Sequence, residues 1–211
     1  MELLAQFVDI LLHLDRYLAQ FVADHGIWVY LLLFLIVFAE TGLVVTPFLP
    51  GDSLLFVAGT LAAAGGMDVV WLCAILAAAA ILGDTVNYWV GKWFGARLFR
   101  DDARWLKREY LDRTHKFYER HGGKTIILAR FIPIVRTFAP FVAGMGRMSY
   151  LKFFAYNVIG GLIWVFSLVL AGFYFGNLPW VKANLTLVII GIVIASITPG
   201  IVEYLCHRRR S

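Results

Sequence analysis

Four charged side chains stand in surroundings too apolar to hold them idly. Glu40 and Asp52 bracket one segment, which runs Glu40-Thr41-Gly42, then Pro47, then Pro50-Gly51-Asp52. Arg130 and Arg136 lie in another, which runs Arg130-Phe131-Ile132-Pro133, then Arg136, then Pro140. An ionisable group at bilayer depth costs about 2.5–3.5 kcal/mol on insertion scales, and by default it marks a substrate or proton path. Arginine keeps its charge and offers a planar fork of donors that fits phosphate oxygens. Arg130 and Arg136, on either side of Pro133, are therefore candidate ligands for a monophosphate head group. Glu40 and Asp52 are candidate proton carriers, because a carboxylate that alternates between apolar surroundings and a neighbouring arginine changes its hold on a proton. Asp84 is a third candidate: it interrupts a helical run after the fifteen uncharged residues 69–83, with an arginine of the second segment or Lys92 within prospect as partner. Two plainer roles use the same residues. The arginines can pair internally with Glu40 and Asp52 for the sake of the fold, and aspartate at position 52 is a favoured cap for a helix starting at Ser53.

The elements that carry these groups are broken helices. Pro47, Pro50 and Gly51 interrupt the first apolar segment, and Pro133 and Pro140 interrupt the second. Non-helical backbone at membrane depth is tolerated only where protein or a water-filled cavity meets the freed polar groups. Each arm is shorter than the ~20 residues a spanning helix needs. Both segments are therefore expected to be re-entrant hairpins with their breaks at depth.

Of the 211 residues, 61% are hydrophobic. A soluble domain is nearer 45–50% apolar, so an all-α integral membrane protein is the expected class. Residues 1–26 mix apolar residues at spacings of three and four with Glu2, Asp9, Asp15 and Arg16, which predicts an amphipathic N-terminal helix at the interface. Residues 69–95 predict a long helix, 102–121 an amphipathic surface helix, and 153–181 and 183–202 charge-free spans. Trp28, Trp71, Trp93, Trp105 and Trp180 fall near predicted interfaces, where tryptophan anchors. No P-loop, nucleophile elbow or zinc-type His/Glu pair occurs, so no catalytic, metal or cofactor residues are assigned and no enzyme is expected. Cys73 and Cys206 suggest neither a disulfide framework nor a metal site.

The net charge of +5 is concentrated: ten Lys/Arg and five acids fall in residues 92–124, and the C-terminal residues include His207-Arg208-Arg209-Arg210. Short basic loops stay cytoplasmic, so both stretches are expected inside. This explains the charge without a nucleic-acid partner. Three local matches suggest an internal repeat. Pro47-x-x-Pro50 corresponds to Pro133-x-x-Arg136, Phe56-Val57-Ala58-Gly59 to Phe141-Val142-Ala143-Gly144, and Gly91-Lys92-Trp93-Phe94-Gly95 to Gly172-Phe173-Tyr174-Phe175-Gly176. With 92–124 inside, the first hairpin opens outward and the second inward, so the repeats are inverted. Inverted repeats with discontinuous helices place a binding site near the midplane.

Together, Glu40-Thr41-Gly42, Pro47-x-x-Pro50-Gly51-Asp52, Gly83-Asp84-x-x-x-Tyr88-x-x-Gly91 and Phe131-x-Pro133-x-x-Arg136 resemble the motifs of the DedA family of bacterial inner-membrane proteins, which shares the SNARE-associated Golgi protein domain with eukaryotic lipid scramblases. The resemblance covers roughly residues 28–178. It implies a multi-pass inner-membrane protein that recycles undecaprenyl phosphate, depends on proton motive force and supports envelope integrity and drug tolerance. It also implies functional roles for Glu40, Asp52, Arg130 and Arg136. The expected organisation is an amphipathic helix (1–26), a DedA-like transport domain (27–202) and a basic cytoplasmic tail (203–211). Within the transport domain, repeat one spans 27–95, an amphipathic connector 96–124, repeat two 125–178 and a final transmembrane helix 183–202. The expected partners are membrane lipids, either polyprenyl phosphate or phospholipid, and protons; a homo-oligomer is compatible with the sequence. The competing readings are a proton-coupled cation or drug antiporter, a non-selective phospholipid scramblase, and a membrane scaffold without transport. Two arginines at the centre suit a phosphate site, whereas a cation site or a scaffold has no need of them.

Overall fold

The computed structural model describes residues 14–43, 51–98, 124–146, 148–184, 187–188 and 190–192. Regular structure among the described residues is entirely helical. In order, the elements are α1 (Leu14–His25), α2 (Trp28–Gly42), α3 (Gly51–Ala63), α4 (Val69–Leu98), α5 (Lys124–Ala129), α6 (Pro133–Met145), α7 (Tyr150–Phe175) and α8 (Pro179–Ala183). Two segments, Val69–Phe94 within α4 and Tyr150–Phe175, are long and apolar enough to cross a membrane. At 1.5 Å per residue such a helix reaches about 39 Å, more than a ~30 Å hydrocarbon core. The apolar helices α2 and α3, with 15 and 13 residues, are too short to cross alone.

The chain divides into two compact units. The first holds the described residues of Met1–Ile36, Phe48–Ala77 and Trp164–Ser211. Its α3 is apolar on every side and buries ten residues, including Leu54, Leu55, Phe56, Val57 and Ala58. Such a helix has no solvent face to offer and must be enclosed. It packs on the second half of α7 through glycines. A Cβ on Gly59 would lie 2.1 Å from the Val169 carbonyl oxygen, and one on Gly172 would lie 2.0 Å from that of Phe56. Thr60 Oγ1 donates to the carbonyls of Phe56 (3.1 Å) and Gly172 (3.3 Å) across this contact. The exit from α3 is set by Gly65, whose φ of +87° is a left-handed conformation that glycine adopts at no steric cost. Gly66 N–H donates to Leu61 and Gly65 N–H to Ala62, which closes the helix end. Asp68 then caps α4, its Oδ1 accepting from the backbone N–H of Val70 (2.8 Å) and Trp71 (3.0 Å).

The second unit holds the described residues of Val37–Pro47 and Ala78–Ile163. Its core gathers Tyr88, Ile126, Ala129, Ala139, Ala143, Met148 and Phe153. Tyr88 stacks on Phe153 with ring centroids 4.5 Å apart, and its hydroxyl donates to the Met148 carbonyl. Here too glycines set the packing. A Cβ on Gly91 would lie 2.1 Å from the Phe141 carbonyl oxygen, and one on Gly144 would lie 2.0 Å from that of Tyr88. The end of α2 crosses α4 at a third such contact, where a Cβ on Gly83 would meet Thr41 Oγ1 at 1.9 Å.

One expectation needs correction. Pro140 does not break the second segment: it lies inside the continuous helix α6. The helix loses one i→i−4 bond there but keeps its course, and the break falls earlier, at residues 130–132, with Pro133 in the first turn of α6. That position suits proline, whose missing N–H would be unsatisfied anyway. The span expected within the uncharged run 153–181 is present as α7, which starts at Tyr150 and ends at Phe175, and Pro179 opens α8. In the first apolar segment α2 ends at Gly42. Gly51 is the first residue of α3, whereas Pro47 and Pro50 lie outside the described residues. So do residues 1–13, most of the connector 96–124, most of the span 183–202 and the basic tail 203–211.

Candidate functional site

Four buried charged residues of the second unit converge in pairs. α5 ends in a tight turn, in which the N–H groups of Arg130, Phe131 and Ile132 donate to the carbonyls three residues back (3.3, 3.2 and 3.1 Å). Ile132 is extended (φ −119°, ψ 105°), as the residue before a proline prefers. The turn places Arg130 at the break and Arg136 in the first turns of α6, where its N–H donates to Ile132 at 2.8 Å. Two acidic residues from other helices meet them. Arg136 Nη2 donates to Glu40 Oε1 at the end of α2, and Arg130 Nη2 donates to Asp84 Oδ2 on α4. All four are buried, with exposures of 0% for Glu40, 3% for Asp84, 4% for Arg130 and 7% for Arg136.

Burial explains the pairing. An ion removed from water loses several kcal/mol of solvation even after the protein relaxes, and only a hydrogen-bonded counter-ion offsets this. The four residues form two ion pairs with no net formal charge. Their backbones approach because the α2–α4 crossing carries glycine on both helices: a Cβ on Gly42 would lie 3.3 Å from Gly83 Cα. Asn87 adds a clamp, its Nδ2 donating to the carbonyls of Thr41 (3.2 Å) and Thr137 (2.7 Å). Asn157 on α7 accepts from Arg130 Nη2 through Oδ1 and donates through Nδ2 to the Ile81 carbonyl at 3.0 Å. Among the described residues Arg130 Nε has no hydrogen-bond partner.

Asp52 lies in the first unit, in the first turn of α3, where negative charge suits the helix dipole. Its Oδ1 accepts from the indole Nε1 of Trp164 at 2.9 Å. Thus the structure brings together Glu40, Asp84, Arg130 and Arg136 and gives Asp52 an indole donor. Of the two partners foreseen for Asp84, it takes the arginine. Lys92 instead extends over Trp89, its Nζ 4.7 Å from the ring centroid. Asn87 and Asn157 act as the inter-helix hydrogen-bonding residues that asparagine in an apolar helix suggests. Trp164 was missed. A tryptophan in mid-span, away from the interfaces, needs an acceptor for its N–H, and that is the signal by which it could have been found.

Buried ion pairs on interrupted apolar helices define a membrane protein with a polar interior. The VTT domain family matches residues 49–174, a range that contains Asp52, Asp84, Arg130 and Arg136. The chain belongs to the DedA family of VTT-domain membrane proteins. It is 57% identical over 212 residues to Protein DedA of Escherichia coli (strain K12), an alignment covering 99% of this chain and 97% of that protein. An uncharacterized membrane protein of Mycobacterium leprae is 42% identical over 168 residues, covering 79% and 75%. The inner membrane protein YqjA of E. coli (strain K12) is 38% identical over 151 residues, covering 71% and 69%. No solved structure matches the chain.

Proposed function

We propose that this chain is a flippase for a lipid phosphate of the bacterial inner membrane, coupled to the proton motive force. Undecaprenyl phosphate is the substrate that the family resemblance implies. The observation that carries the reading is the burial of two arginines in one unit, each ion-paired with a carboxylate, Arg136 with Glu40 and Arg130 with Asp84. A phosphate monoester carries one to two negative charges and accepts from several donors at once, so it competes with one carboxylate for a guanidinium. Arg136 lies near the N-terminus of α6, a helix end whose partial positive charge adds to its own. In this scheme the head group displaces Glu40 from Arg136, and the freed carboxylate takes up a proton. Proton loss then restores the ion pair and expels the phosphate. Asp84 and Asp52 are the further proton-coupling candidates. A cation or drug antiporter would have its acids open to the cation, whereas here Glu40 and Asp84 are each engaged by an arginine.

The scheme includes an inverted repeat of re-entrant hairpins. Matched packing supports it: Gly59 against α7 repeats as Gly144 against α4, and Gly172 against Phe56 repeats as Gly91 against Phe141. The inverted sense and the cytoplasmic placement of 92–124 and of the C-terminus rest on the distribution of basic residues.

Binding tests this most simply. Purified protein should bind undecaprenyl phosphate in preference to undecaprenol, which has the same tail without the phosphate. Arg136→Ala should abolish the preference. Equal binding of the two lipids would sink the phosphate-site reading.

A further inference from the structure

Arg130 lies against a particular face of α7. Asn157, Gly160 and Gly161 stand at i, i+3 and i+4, so they share one side of that helix. Asn157 is fully buried and engages Arg130 Nη2, and its other amide atom is tied to the Ile81 carbonyl, which fixes the amide's orientation. The two glycines supply the room in which the rest of the side chain lies. A Cβ on Gly160 would lie 3.1 Å from Arg130 Cδ and 3.3 Å from Nε, and one on Gly161 would lie 3.5 Å from Cζ and Nη2. Any other residue type at 160 would press on the stem of the arginine at Cδ and Nε.

We propose that Asn157, Gly160 and Gly161 form a cradle on one face of α7 that positions Arg130, committing its Nη2 to the protein and keeping its Nε, enclosed in this state, as an uncommitted donor for the phosphate of the carried lipid when the site opens. The proposal rests on the flippase reading and deepens it. The chemistry divides the guanidinium: Nη2 serves Asp84 and Asn157, whereas Nε, buried and without a partner among the described residues, retains a donor. A buried donor left unmade costs about 1–3 kcal/mol, so an anion that satisfies it is bound with that penalty relieved. Arg136 and Arg130 then differ in role. Arg136 exchanges its carboxylate for the head group, and Arg130 stays in place and adds one directed bond.

The geometry predicts a graded result for two neighbouring substitutions. The methyl of Gly160→Ala meets Arg130 and, at 3.3 Å, the backbone Cα of Ile127, which cannot swing aside. The methyl of Gly161→Ala meets Ile81 Cγ1 at 3.1 Å, part of a flexible side chain, and touches the guanidinium only at ordinary contact distance. Undecaprenyl phosphate flux in proteoliposomes should therefore show a half-saturating concentration raised about tenfold by Gly160→Ala, the weight of one charge-assisted hydrogen bond, with maximal flux little changed. Gly161→Ala should raise it less. Asn157→Leu should act like Gly160→Ala, because the guanidinium loses its anchor. Wild-type half-saturation in Gly160→Ala, or equal losses in the two glycine variants, would overturn the cradle. A melting comparison in detergent without lipid separates this from a general packing defect. Gly160→Ala should lower the melting temperature less in an Arg130→Ala background than in the wild type, because the group it presses on is gone. Additive losses would contradict the cradle whichever lipid is carried. Wild-type protein that moves no polyprenyl phosphate would contradict the flippase reading, and the melting comparison would still decide on the cradle.

Discussion

Asp84 shows how one residue's partner decides its meaning. In the sequence it is an acid interrupting an apolar helix; in the fold it is the counter-ion of Arg130. Asp84→Asn leaves a buried guanidinium without its charge partner, which should cost about 3–5 kcal/mol, read as a large drop in melting temperature. Replacing both, Asp84→Asn with Arg130→Gln, removes the uncompensated charge and should recover much of that loss. A double variant as unstable as the single would show that the pair is not a unit. Arg136→Lys keeps charge but loses the planar fork, so phosphate-lipid transport should fall severely at normal expression, and Arg136→Ala should do no better. Full transport with lysine at both 130 and 136 would refute recognition by the fork. The sequence made these residues visible because charge in an apolar run is conspicuous. Which acid meets which arginine was not legible, because Glu40 and Arg136 are 96 residues apart and are brought together by the glycine crossing of α2 and α4 and by the Asn87 clamp between Thr41 and Thr137. Asp52 was weighed as a cap or an arginine partner, and its bond to Trp164 depends on packing 112 residues away.

The helices were read well where length and apolarity decide, as in α4 and α7, and less well where proline had to be placed. A proline in a helix interior usually marks an end, yet Pro140 stays within α6. The reason lies in neighbours that the local sequence does not contain: Ala139, Ala143 and Gly144 pack into the core on α4, and Asn87 donates to the carbonyl of Thr137 in the turn before the proline. Pro140→Ala should restore one backbone bond and raise the melting temperature. If the loosened turn is needed for Arg136 to change partners, flux should fall in the same variant, and unchanged flux would remove that role. The glycine contacts make a second prediction for elements. A methyl at Gly91 or Gly172 would lie about 2 Å from a carbonyl oxygen of the partner helix, so the helices must separate. Gly91→Ala and Gly172→Ala should each destabilise by about 3 kcal/mol or more, by similar amounts if the two contacts are equivalents in a repeat. A large loss in one and none in the other would weigh against the repeat.

At the scale of the whole molecule, charge is the informative quantity. Ten Lys/Arg lie in residues 92–124, and residues 208–210 are all arginine, whereas only Arg16 and Lys182 fall on the side assigned to the outside. The proposed orientation follows from this bias. In a background without Cys73 and Cys206, a cysteine at Thr114 should escape impermeant reagents applied to intact cells, and labelling there would overturn the inverted arrangement. Family membership was legible from spaced motifs, because their combination is specific even where each part is weak. Substrate identity is not written in the same way. A phosphate fork is compatible with many lipids, and the tail is handled by apolar surface that any membrane protein has. The central claim, a proton-driven lipid-phosphate flippase, is tested most directly by transport in proteoliposomes carrying a pH gradient. Wild-type protein should move undecaprenyl phosphate against its concentration gradient while leaving phosphatidylethanolamine in place, and Glu40→Gln should still bind the lipid but lose the uphill component. Equal movement of both lipids, or uphill transport in Glu40→Gln with the wild-type response to pH, would contradict the account.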